Sequence, residues 1–563
     1  MYNLIYPLLL ITSILAFAKP SLAQDESLRI DSVNALGSPA KHDMNGDGVL
    51  DILLATGIEF KENKQGLICI DGATWEVLWR AKSRDQLFSQ PVFFDANLDG
   101  TDDLVVGGRK AQFMCIDGRN GDLLWELVPD SIQNPRAQGW YQFYTPVLLN
   151  DFFGNGKNSL LVMNGGGPPD TLGRPASTMI LLDAENGSIL WSDTVADNTE
   201  SYSSLIRWQG PDGDYVVYGT GGERFGGNLW RVSLDSLLTN GLSSSVLMIA
   251  DSSKGFVPVP SMADLNSDGY DELLVSSLSQ GLMAYDAVAD SLLWKVPWGG
   301  YECYTSPAVG YFNEDNVPDV VSFYQKGVFP FYGEFVLVVV DGLDGSLLHS
   351  DSSGWYQYST PNVLDVDGDG SDEILYLKNW DRSSTIVEFV NALFVVDPAR
   401  DSTWQLTQEQ IGIQAFSSNL LWDLNRDSVL EIVVARGLDK DSWYVPDALQ
   451  VAKIELDFYD PCPAWGSYLG NEGDGRFEST ACPMISSIQL QSKNELRLFP
   501  NPIGSELSIQ GLEMGENWFI FSAKGDVIRS GNSNGVIDLS GLAPGLYHLR
   551  SQFGASAKLL KLD

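Results

Sequence analysis

Side-chain oxygens suited to a hard cation recur along this chain in one spacing, Asp-x-Asn-x-Asp-Gly-x-x-Asp. The clearest copy runs from Asp43 through Asn45 and Asp47 to Asp51. Positions 1, 3 and 5 aim alternate oxygens into one small loop. Glycine at position 6 permits a sharp turn, and the acid at position 9 closes the shell. Carboxylates and amides in that order suit calcium. Four further copies keep every oxygen side chain: Asp95, Asn97, Asp99 and Asp103; Asp264, Asn266, Asp268 and Glu272; Asp365, Asp367, Asp369 and Glu373; Asp423, Asn425, Asp427 and Glu431. The last has Ser428 where glycine belongs. Tyr311 replaces the first acid of a copy with Asn313, Asp315 and Asp319. Phe153 and Ser159 replace two ligands of the copy that begins at Asp151, where no metal is expected. Like metals strung along a chain cannot share one active centre, so the ions are expected to be structural clips on β-hairpins.

The elements that carry these loops repeat as well. Successive copies begin at 43, 95, 151, 264, 311, 365 and 423. The long gap holds a decayed copy, Leu205 to Gly222. After each loop come an apolar strand, a strand ending in Asp, a turn and a strand ending in Trp. Asp71 to Trp79, Asp117 to Trp125, Asp183 to Trp191 and Asp286 to Trp294 share that step, and His349 takes the Trp place after Asp341. These fixed Trp positions read as core. Four short strands in about 50 residues are a propeller blade. The pattern predicts an all-β chain with an eight-bladed β-propeller over 24–460, seven blades being the alternative. The last unit lacks an outer strand, and Leu28 to Val33 is expected to supply it and close the ring.

The acidic loops resemble those of FG-GAP/VCBS repeats, the calcium-loop blades of integrin α propellers. The Asp-x-x-x-Gly-x-x-Leu-Trp half is similar to blades of PQQ-type quinoprotein propellers. Together the resemblance covers about residues 28 to 460 and implies several structural calcium ions. The Gly-Ala-Pro of the FG-GAP name is absent, and no Cys-Cys pair of the kind many quinoprotein dehydrogenases carry is present.

A second pattern precedes the first strand of three units: Trp140, Tyr141 and Tyr144 before Pro146; Tyr301 and Tyr304 before Pro307; Trp355, Tyr356 and Tyr358 before Pro361. Segments leading into the first strand lie on the face opposite the acidic loops. The longer insertions, Asn164 to Ser177, Gly219 to Asn228 and Gly327 to Phe335, emerge there too. Flat rings beside amides and acids suit sugars by stacking and hydrogen bonding, or a protein surface. Packing between blades is the alternative use of the same rings.

The chain of 563 residues carries a formal net charge of −39, which excludes nucleic acid and anionic membrane as partners. Residues 1–23 read as a secretory signal: Leu4 to Phe17 is apolar, and Ser21-Leu22-Ala23 is a small-x-small cleavage site. No later run is long and apolar enough to span a membrane, so none is expected in the mature chain. Cys462 and Cys482 flank a Gly-rich stretch within a 461–494 linker and are a candidate disulfide in an exported protein. Cys69 and Cys115 read as buried thiols.

From 495 to 563, short alternating strands between Gly-rich turns predict a small Ig-like β-sandwich. Pro500-Asn501-Pro502, Gly545-Leu546-Tyr547-His548-Leu549 and Lys558 with Lys561 are similar to the C-terminal sorting domain of type IX secretion cargo in Bacteroidetes. That resemblance implies the type IX export machinery as a partner, and a secreted or surface-attached protein. Three His in the whole chain argue against a Ser-His-Asp or zinc site. The expected role is binding or adhesion to a glycan or extracellular protein. The surviving enzyme class is a polysaccharide lyase, with Arg136, Arg174 and Arg224 near the aromatic face.

Overall fold

The structure, a computed structural model, describes 26–127, 142–165, 175–328, 331–383, 388–438, 446–456, 458 and 462–478, and in the C-terminal part 497–499, 506–510, 517–522, 527–532, 536–539, 542–543, 545–551 and 556–561. The chain forms two compact units, divided between Ala481 and Cys482.

The first unit is a β-propeller built almost wholly of antiparallel meanders. In the first sheet Ala40–His42, Asp51–Ala55, Asn63–Ile70 and Val77–Ser83 pair in sequence order. Further sheets repeat this plan. A ten-stranded sheet is two such ladders, joined by a single parallel bridge between Gly354 and Asn379. Divided there, the described residues make eight ladders. The decayed copy forms one of them, with Ile206–Gly210 and Gly213–Gly219 joined by a tight turn instead of an acidic loop. Glu26–Asp31 pairs antiparallel with Ala448–Leu456 and supplies the fourth strand of the last ladder, the place expected for it.

Burial follows strand position. Asp51–Ala55 is buried at every residue, because sheets cover both its faces. Val77–Ser83, at the outer edge, alternates buried with exposed or half-buried positions. The core lies between successive sheets. Leu53, Leu67 and Trp79 pack on Leu104, Val106 and Met114 of the next sheet. Ile52, Leu54 and Ile68 pack on Val433, Leu449 and Val451 of the last, so the circle of sheets closes.

Three outer-strand Trp indoles hook the following sheet, whereas Trp191, expected as core, is half-buried and Trp404 is exposed. Trp79 Nε1 donates to the Gly118 carbonyl, Trp125 Nε1 to that of Ala184 and Trp294 Nε1 to that of Gly342. His349 makes an equivalent link through Nδ1, 3.1 Å from the Asp401 carboxylate.

Residues 462–478, expected as linker, dock on the innermost strands. Trp465 and Val363 exchange two backbone hydrogen bonds, Leu421 N donates to the Gly466 carbonyl, and Met262 N donates to that of Gly475. Trp465 is fully buried. Cys462 is disulfide-bonded, while its expected partner Cys482 lies outside the described residues. Cys69, Cys115 and Cys303 are buried free thiols.

The second unit has two antiparallel sheets. One joins Arg497–Phe499, Glu506–Gln510 and Val536–Asp538; the other joins Val527–Asn532, Asn517–Ser522, Gly545–Ser551 and Ser556–Lys561. Trp518, Ile520, Ile537 and Leu549 are buried within it. Among the described residues no helix is long and apolar enough to cross a membrane.

Candidate functional site

Each acidic loop spans the hairpin between the first and second strands of a sheet and is held by its own carboxylates. In the first loop Asp43 accepts backbone N–H bonds from Gly46, Asp47 and Gly48, Asn45 Oδ1 accepts from Asp47, and Asp47 Oδ1 accepts from Val49. The second loop repeats this with Asp95, Asn97 and Asp99. So do Asp264, Asn266 and Asp268, and Asp423, Asn425 and Asp427. Asp365 and Asp369 act likewise in the loop that ends at Glu373. Position 6 is left-handed throughout: φ is +90° at Gly48, +87° at Gly100 and +70° at Ser428. A side chain is strained there, which is the physical reason for the glycine.

The position-9 acids Asp51, Asp103, Glu272, Glu373 and Glu431 are all buried. Burial pushes their carboxyls up, Asp51 to about 6, Glu272 and Glu431 to about 7 and Glu373 to about 8. Asp319 of the Tyr311 loop rises to about 7 for the same reason. A buried carboxylate facing other oxygens is what a divalent cation would relieve. Carboxylate oxygens of Asp365, Asp367 and Glu373 lie within 4.8 Å of one another, as do those of Asp268, Glu272 and Asp286. Asp264 Oδ1 is buried without a hydrogen-bond partner. The donor set therefore fits calcium. Asp286 comes from the following turn and was not among the expected ligands. Its counterpart Asp71 likewise meets the first loop, accepting from Asn45 Nδ2.

The opposite face has its own order. Four residues before the inner strand of each sheet, three in the third, stand Leu36, Phe88, Tyr144, Tyr202, Val257, Tyr304, Tyr358 and Phe416. All but the buried Tyr144 are half-buried. Neighbours in this collar touch: Phe88 and Tyr144 at 5.6 Å between centroids, Tyr304 and Tyr358 at 5.6 Å, Tyr358 and Phe416 stacked at 4.8 Å. Two residues earlier, Asn34, Gln86, Gln142, Glu200, Glu302 and Gln414 form a buried polar shelf beneath. Tyr144 donates to Gln142 and Tyr202 to Glu200.

Of the expected aromatic residues, Tyr304 and Tyr358 sit in the collar. Tyr332, from an insertion, packs against both and donates to Glu302 at 2.6 Å. Trp355 is exposed and touches Tyr356 and Phe389. Tyr301 meets Trp298 edge-on. Trp140 and Tyr141 lie outside the described residues. Phe88, Tyr202 and Phe416 were not singled out from sequence. Counting back seven residues from loop position 1 would have found Phe88 and Phe416.

A cavity of about 690 Å³ opens inside the ring, between the inner strands and the 462–478 segment. In it Lys41 Nζ donates to the Asn471 carbonyl and lies 3.9 Å over the Trp422 ring, and burial lowers its amine to about 8.

Comparison with known proteins agrees with the sheets. A family model described as outer membrane protein assembly factor BamB, of the PQQ repeat type, matches residues 52–219. A quinohemoprotein alcohol dehydrogenase from Comamonas testosteroni superposes with a TM-score of 0.50 at 11% identity, over 78% of this chain and 77% of that one. The fold is a β-propeller, similar to the BamB-type model over 52–219. A europium-containing methanol dehydrogenase gives 0.50 at 11% identity, over 77% of this chain and 93% of its own. These likenesses speak for fold alone. Mouse protein FAM234B is 24% identical over 456 residues, 74% of this chain and 69% of that protein.

Proposed function

We propose that this is an exported, calcium-stabilised, eight-bladed propeller that binds a glycan or an extracellular protein through its aromatic collar. One observation carries the reading: every sheet brings a side chain to the same place on the same face, all but one half-exposed, above a shelf of buried amides and acids. Rings give stacking area and the shelf gives hydrogen bonds, the combination that polar, ring-shaped or peptide ligands need.

In this reading the FG-GAP/VCBS-like loops hold calcium as clips on the other face. The signal segment and the C-terminal unit, as a type IX sorting domain, direct the chain to the cell surface or the medium. The strongly acidic charge turns nucleic acid away.

A lyase-like enzyme is the second reading, and one cluster favours it. Lys254 Nζ lies 2.5 Å from Glu302, which accepts from Tyr332, whose hydroxyl is 3.0 Å from that of Tyr304. Burial raises both phenols, so they stay protonated and donate rather than abstract. Binding is therefore preferred.

The test is the full chain in calcium, incubated with neutral and acidic polysaccharides while retention and new unsaturated ends are recorded. Retention without turnover supports glycan binding. Turnover makes the protein an enzyme, and the absence of both retention and turnover moves the ligand to a protein.

A further inference from the structure

The four ligand positions of the loop from Asp365 to Glu373 carry one more acid than those of the other complete loops. The loop has Asp367 at position 3, where Asn45, Asn97, Asn266 and Asn425 stand elsewhere. The turn that faces it differs as well. Three residues after the turn Asp come Thr74, Asn120, Asn186, Ala289 and Asp344, but Arg400 after Asp397.

The two differences meet. Arg400 Nη1 lies 2.7 Å from Asp367 Oδ2 and 2.9 Å from Asp397 Oδ2, and Nη2 lies 2.5 Å from Asp369 Oδ2. Asp367 also belongs to the group of oxygens that converge with Asp365 and Glu373. One carboxylate is thus claimed by the guanidinium and by the cation position. Among the described residues Arg119 is the nearest parallel, and of the loop carboxylates it meets Asp99 alone.

We propose that Arg400 is a built-in cation that competes with calcium for Asp367 and Asp369. This loop then exchanges its ion at calcium concentrations that leave the other complete loops filled. The guanidinium holds the loop shut when the ion leaves, and the fork geometry that spans several carboxylates is one an ammonium cannot reproduce. The inference rests on the calcium reading of the loops.

Calcium titration of the chelator-stripped full chain by calorimetry, with thermal melts in chelator and in calcium, tests it. For wild type the expected isotherm has one site weaker than the rest. Arg400→Gln should strengthen that site roughly tenfold, since the docked guanidinium and the ion exclude each other reciprocally. The same variant should melt below wild type in chelator and not in calcium. Arg400→Lys, which keeps the charge but loses the fork, should fall between. Superimposable isotherms for wild type and Arg400→Gln would overturn the proposal, as would weaker binding in the variant. Calcium bound by neither protein would remove the calcium reading itself; calcium bound equally by both removes only the role of Arg400.

Discussion

Trp79 Nε1 donates a 2.8 Å hydrogen bond to the carbonyl oxygen of Gly118, in the turn of the next sheet. The same ring lies against Gly121, where an added Cβ would come 2.7 Å from Trp79 Cε3 and φ is +77°. One side chain thus explains the Trp of one repeat and the glycine of the next. Trp79→Ala should cost about 3–5 kcal/mol in chemical denaturation. Trp79→Phe should cost about 1–3 kcal/mol, because the carbonyl loses its donor but the packing largely stays. Equal effects of the two would argue against the hook.

The position-9 carboxyls set a pH dependence. Folded-state values of about 6 for Asp51, 7 for Glu272 and Glu431 and 8 for Glu373 lie above those of an unfolded chain. Between about pH 4 and 8 the calcium-free folded protein binds more protons than the unfolded one, so its stability falls as pH rises through that window. Melts in chelator should therefore improve on acidification from about pH 8 toward pH 6. Calcium favours the charged carboxylates, so in its presence the trend should flatten or reverse, with protons released on binding. A melting point in chelator that climbs with pH would contradict this account.

Ser428 holds φ at +70° where other complete loops place glycine. Ser428→Gly should stabilise the protein by about 0.5–1 kcal/mol in urea denaturation, because the left-handed strain outweighs the added freedom of the unfolded chain. Unchanged or lower stability would mean that the Ser428 side chain contributes something the strain does not cancel.

Trp355 is the most exposed of the described aromatics expected at the ligand face. Trp355→Ala should weaken ligand retention by roughly tenfold, in line with loss of one stacked ring of about 1–3 kcal/mol, while leaving the melting point within a degree or two. Phe416→Ala probes the collar from the last sheet, with loss of the 4.8 Å stack on Tyr358. If neither changes retention on any ligand that the wild type holds, the collar is packing.

Much of this architecture was legible because each repeat states its strands, its turn and its hook in side chains. The loops declared themselves by spacing, and the missing outer strand by a count. The 462–478 segment did not. Its docking uses backbone groups of Trp465, Gly466 and Gly475, and a Gly-rich stretch carries no pattern for such pairing. Asp71 and Asp286 were read only as strand ends, since nothing in a linear spacing says that two hairpins of one sheet lie side by side. Phe88 and Phe416 stand singly in their segments, so local clustering passed them over.

The pairing of Glu26–Asp31 with Ala448–Leu456 also fixes a timetable. A chain made from its N-terminus cannot complete that ladder until nearly the whole first unit has been synthesised. Until then the last sheet has a bare edge, and the first has one face without its neighbour. Completion of that one ladder is thus a late step. Clipping the chain just after Asp31 would cut the covalent link at this seam and leave the first and last sheets joined by the packing of Ile52, Leu54 and Ile68 on Val433, Leu449 and Val451.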